Sequence, residues 1–80
     1  MPNHSLAALA SHCRTKEAFY LDKVRRLRER IAKWYPGNMV LTAEELARKE
    51  HVEKLTAKAQ LECDRWRAWA EAVEKLAGQE

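Results

Sequence analysis

A single helix-breaking stretch, Tyr35-Pro36-Gly37-Asn38, divides a chain that otherwise reads as continuous helix. Pro lacks the amide proton a helix interior needs, and Gly and Asn tolerate the left-handed conformations that close helices. One helix therefore stops here. The next begins at Thr42, which suits an N-cap, with Glu45 three residues on to complete a capping box and Leu41 and Leu46 spaced for a hydrophobic staple. Glu44 and Glu45 in the first turn suit the positive end of the helix dipole. Ala77-Gly78 marks the far end.

Periodicity supplies the faces. Before the break, Leu6, Ala10, Cys13, Glu17, Tyr20, Val24, Leu27, Ile31 and Trp34 recur at alternating steps of four and three, the spacing of one helical stripe. After it, Val52, Leu55, Ala59, Glu62, Trp66, Trp69, Val73 and Leu76 repeat the pattern. Two matching stripes predict an all-α fold: an antiparallel hairpin of two long amphipathic helices, about residues 5–35 and 43–77, paired as in a coiled coil. Each helix would be about 50 Å long at roughly 1.5 Å per residue. The 80 residues allow one domain, 1–80, and with two Gly, two Pro and an abundance of Ala, Leu, Glu, Lys and Arg they disfavour strands. Ser11 and Thr15 offer a second N-cap that would make residues 3–14 a separate short helix, but the stripe crosses this stretch in register, which favours continuity.

A hairpin turning near residue 39 sets Glu17 opposite Glu62 and brings Cys13 and Cys63 to similar levels. Two carboxylates in one layer need compensating cations, a shared proton or water. Leu46, Ala57, Leu61, Ala68 and Ala72 lie off the second stripe, and Leu9 and Phe19 off the first. That surplus predicts a second packed surface, most simply a homodimeric four-helix bundle.

Charge is divided between the halves. Residues 1–38 carry eight Lys and Arg against three Asp and Glu, and residues 39–80 carry seven against nine, within a net charge of +3. Pairs at i,i+4, namely Asp22–Arg26, Glu29–Lys33, Glu45–Lys49, Glu50–Lys54 and Glu71–Lys75, account for much of this as solvated decoration. The cluster Arg25, Arg26, Arg28, Arg30 and Lys33 reads alternatively as a phosphate-contacting ridge, weakened by Asp22 and Glu29 and unaccompanied by any helix-turn-helix, zinc-finger or RNA-binding motif.

Aromatics cluster in Asp64-Arg65-Trp66-Arg67-Ala68-Trp69 and in Trp34-Tyr35. As core, Trp66 and Trp69 would pack on Leu6, Ala10 and Cys13, with Arg65 spaced for a cation–π contact to Trp69. As anchors, Trp66, Trp69, Arg65, Arg67 and Tyr35 would meet a protein partner, since Trp and Arg are enriched in interface hot spots. Trp34 is expected in the core and Tyr35 over the loop.

Other chemistry is sparse. Two cysteines form neither a disulfide framework nor a zinc or redox spacing, and a metal set of His12, Cys13, Glu17, Glu62 and Cys63 lacks the Glu-x-x-His pattern of bundle di-metal sites. The expectation is no metal and no cofactor, with His4 and His51 exposed and His12 either exposed or a ligand. No phosphate loop or partnered nucleophile indicates an enzyme or a small-molecule substrate. No apolar run approaches the roughly 20 residues of a membrane span, and residues 1–5 lack a secretory signal's charge and apolar stretch, so a soluble cytoplasmic protein is expected. These features predict a small regulatory or inhibitory protein that docks a helical surface on a larger partner. The alternatives are a helical nucleic-acid binder using the basic ridge and a structural subunit of a larger assembly. Compact helical chains of this style are common among phage and mobile-element antagonists of host machinery, a likeness of size without matching residues.

Overall fold

The computed structural model describes residues 5–79. Helix α1 runs Leu6–Trp34 and helix α2 runs Ala43–Gly78, packed as an antiparallel hairpin of 58 × 20 × 15 Å. Ser5 caps α1, its hydroxyl accepting from the Ala8 amide at 3.1 Å. The chain passes Ser11–Thr15 without a break, Thr15 turning its hydroxyl back to the Ser11 carbonyl at 3.0 Å instead of capping a new helix. A separate helix over residues 3–14 therefore does not form; residues 3 and 4 lie outside the described residues.

Proline chemistry ends α1. Tyr35, disfavoured from helical geometry by the ring of Pro36, takes φ −133° while its amide still reaches the Ile31 carbonyl at 2.8 Å. The Met39 amide then closes a turn on the Pro36 carbonyl at 3.0 Å. No described residue adopts positive φ, so Gly37 and Asn38 turn the chain without the left-handed conformation their identity suggests. At α2 the capping box forms in full: Thr42 accepts from the Glu45 amide at 3.2 Å, and the Glu45 carboxylate accepts from the Thr42 amide at 3.1 Å.

The interior follows the expected α1 stripe, burying Ala10, Cys13, Val24 and Leu27. On α2 it departs from expectation. Val52 and Ala59 face α1, but the intervening positions are Thr56, Cys63 and Ala70 rather than Leu55, Glu62 and Trp69, which stand one residue to the side. One residue is about 100° around a helix, enough to move a side chain from the seam to its edge. The fold turns the smaller members inward, and small side chains let two helix backbones approach closely enough for Val24 and Leu27 to seat against Ala59. Thr56 satisfies its buried hydroxyl on the Val52 carbonyl at 2.8 Å.

That packing predicts opposite responses at two neighbouring positions. Ala59→Leu should destabilise the hairpin by about 1–3 kcal/mol through overpacking, whereas Leu61→Ala, at a position 60% exposed, should change stability by less than about 0.5 kcal/mol. Thermal and urea unfolding followed by circular dichroism measure both.

Candidate functional site

The hairpin has two edges with different chemistry. Along one, ion pairs cross between the helices. Arg14 makes a two-pronged bond to Glu74 at 2.6 and 2.9 Å and donates to Glu17 at 2.8 Å, while Arg67 donates to the other oxygen of Glu17 at 2.7 Å. Glu17 is the least exposed member of this chain of charges. The Arg14 guanidinium first, then that of Arg67, holds its carboxyl below the usual carboxylate range, and Arg14 does the same to Glu74. Beneath the clamp, Cys63 donates its thiol to the Glu17 carbonyl at 3.7 Å, and burial pushes that thiol's pKa up. Both cysteines are free and buried.

The expected layer of Glu17 against Glu62 does not form. Glu62 lies across α2 from the clamp, where it accepts from Arg65 at 3.0 Å and borders a groove with Tyr20, Lys23 and Lys58. Because α2 turns Cys63 inward, its neighbours Glu62 and Asp64 fall to either side of the seam. Among the described residues, no three His, Cys, Asp or Glu side chains gather where they could hold a metal ion.

The second edge is aromatic, aliphatic and basic. Phe19, Leu27 and Leu55 line a groove with Lys23, Arg26 and Arg30, and toward the turn Trp34, Tyr35 and Val52 line another with Arg30, Arg48 and His51. Seven-residue spacing continues these rows toward the open end: Leu9 and Lys16 precede Lys23, and Trp69 and Leu76 follow Leu55 and Glu62. Trp66 sits half-buried between His12 and Trp69, edge-to-face with each at centroid distances of 5.7 and 4.9 Å. Leu9, Phe19, Leu55, Trp69 and Leu76 all remain exposed, Trp69 at 49% and Phe19 at 56%.

The expected anchors divide across these edges. Trp66, Trp69, Arg65 and Tyr35 belong to the aromatic one, while Arg67 is spent on the clamp to Glu17. Trp34 is 58% exposed and not core: it stands in the last turn of α1 at the rim of the groove it shares with Arg48 and His51 of α2; Arg30 lies 5.9 Å above its ring, and this cation–π pair forms rather than the expected one between Arg65 and Trp69. The supposed basic ridge splits. Arg26 and Arg30 line the Phe19 groove, whereas Arg25 and Arg28 border a strip on the outer side of α1 with Ala18, Leu21 and Ala32. Asp22 pairs with both Arg25 and Arg26, and Lys33 stands in the last turn of α1. Of the expected i,i+4 pairs, Asp22–Arg26 is the one that closes among the described residues. His12 and His51 are exposed, and His4 lies outside the described residues. What sequence reasoning missed is the partnership of Lys23, Arg48 and Lys58 with the aromatics, since their convergence depends on which side of the seam each helix presents.

No helix among the described residues is long and apolar enough to cross a membrane. Compared with protein-family models, curated proteins and solved structures, the chain matches none.

The clamp carries a pH dependence. Glu17 and Glu74 have folded pKa values below their usual 4.5, so their contribution is present above that value and lost as pH falls through the lowered ones. Thermal melts should hold steady from neutral pH to about 5.5 and decline below about 4.5. Glu17→Gln should lower the midpoint at pH 7 and flatten the acid-side decline; an unchanged slope would show that the clamp does not contribute.

Proposed function

We propose that this protein is a small regulatory or inhibitory binding module that docks its aromatic edge onto a larger protein, acting by occlusion or clamping rather than by catalysis. One observation carries the reading. The interior is built from Ala, Cys, Thr, Val and Leu, while Leu9, Phe19, Leu55, Trp69 and Leu76 share an uncovered edge. Large apolar side chains left exposed along one edge mark interaction surfaces, and the Trp and Arg among them are the residue types that dominate binding energy. The Trp66–Trp69 pair is braced by His12, so docking would cost little side-chain ordering. The buried free thiols suit a reducing compartment, and we place the binding in the cytoplasm.

A homodimer through the same edge is the competing way to cover it. A second copy would bring a second basic rim of Lys23, Arg30, Arg48 and Lys58 to the interface, and like charge on both faces weakens association. The reading therefore assigns the edge to a different protein.

Affinity capture with the immobilised chain tests this. Trp69→Ala and Leu55→Ala should each reduce recovery of the bound protein at least about tenfold, the loss expected on truncating a hot-spot side chain, while helical content stays unchanged. Undiminished capture by both variants would remove the aromatic edge from the interaction. Loss of helicity would make the two side chains part of the core.

A further inference from the structure

We infer that the groove between α1 and α2 on the aromatic edge takes an acidic amphipathic helix, which completes a three-helix bundle. The inference rests on the docking reading and adds the chemistry of the occupant. Two antiparallel helices leave a lengthwise furrow on each side of their seam, and a third helix fills such a furrow with an apolar stripe at steps of three and four. On the clamp side the furrow is bridged by Arg14, Glu17, Arg67 and Glu74. The other side is open and floored by Tyr20, Leu27, Leu55 and Ala59.

Charge selects the occupant. Lys23, Arg26, Arg30, Arg48 and Lys58 border the furrow, and Glu62 is the one carboxylate among the described residues lining it, already engaged by Arg65 at 3.0 Å. A positive rim around an apolar floor complements a helix with Leu-like residues inward and Asp or Glu along both margins. A second copy brings another positive rim. A nucleic-acid strand gains most from an array of ring faces turned the same way, and here the ring pairs Phe19–Tyr20, Trp66–Trp69 and His12–Trp66 stand at 82–88° to one another and Arg30 lies over Trp34. The aliphatic floor of Leu27 and Leu55 likewise suits a helix better than bases.

Two synthetic helices of about 21 residues, long enough to span roughly 30 Å of furrow, separate the possibilities. Both carry the same Leu stripe, one flanked by Glu and the other by Lys, each labelled for fluorescence anisotropy. The Glu helix should bind saturably and the Lys helix roughly tenfold or more weaker, several rim charges each contributing modestly. Lys23→Glu combined with Arg30→Glu should reverse that order with helical content unchanged. Equal binding of both helices, dependent on Leu55 and Trp69, overturns the acidic assignment and leaves the docking reading standing. Failure of both helices overturns the inference; the docking reading falls with it only if Trp69→Ala and Leu55→Ala also leave capture intact. Salt-sensitive binding of labelled oligothymidine that competes with the Glu helix assigns the furrow to nucleic acid. Sedimentation of the chain alone as a dimer that Leu55→Ala dissociates assigns it to a second copy.

Discussion

The close approach of α1 and α2 through small side chains is the contact on which the rest of the molecule depends. Ala59, Cys63 and Ala70 on α2, set against Ala10, Cys13, Val24 and Leu27 on α1, allow little space between the backbones. That proximity brings Arg67 within reach of Glu17 and Arg14 within reach of Glu74. It also fixes the rotation of α2 about its own axis, and rotation decides which side chains are left over. The cost of a narrow seam is a small core: with the larger apolar residues outside, a two-helix unit of 80 residues gains limited burial on its own. Its elongation has the same origin, since a radius of gyration of 17.8 Å far exceeds the roughly 12 Å of a compact chain of this length.

Much of the architecture is legible in the amino-acid sequence because local chemistry writes it. Pro36 terminates α1, Thr42 and Glu45 start α2, and the periodicity of α1 identifies its buried face. The inward face of α2 is less legible. Val52, Ala59, Trp66 and Val73 fit a stripe completed either by Leu55, Glu62 and Trp69 or by Thr56, Cys63 and Ala70, and hydrophobicity favours the first. What decides is the fit between helices: Leu55 and Trp69 at the seam would hold the backbones apart and bury Glu62 against Glu17, whereas the second set admits close packing and gives Glu17 two guanidiniums. A periodicity count carries no information about that choice.

The misassigned face also explains why the candidate site was only half visible. Trp66 and Trp69 stand out by residue type, but the lysines and arginines that accompany them come from both helices and are scattered in the chain. Arg25, Arg26, Arg28 and Arg30 look like one ridge because they are close in sequence; on a helix they point to different sides, and Asp22 draws two of them together. The charge asymmetry between the chain's halves thus becomes, in the fold, an asymmetry between edges. One edge is crossed by ion pairs toward the open end and the other is apolar with a basic rim, the combination of adhesion and selectivity on which the proposed docking rests.

The native cysteines test the rotation of α2 without any probe being introduced near the seam. With Cys63 turned toward the Glu17 carbonyl and Cys13 buried on α1, both thiols should resist an aqueous thiol reagent in native buffer and label only at the rate of unfolding. Cys13→Ser isolates the response of Cys63. Labelling of Cys63 in the folded protein at the rate of an unprotected thiol would place Leu55, Glu62 and Trp69 at the seam and contradict the account.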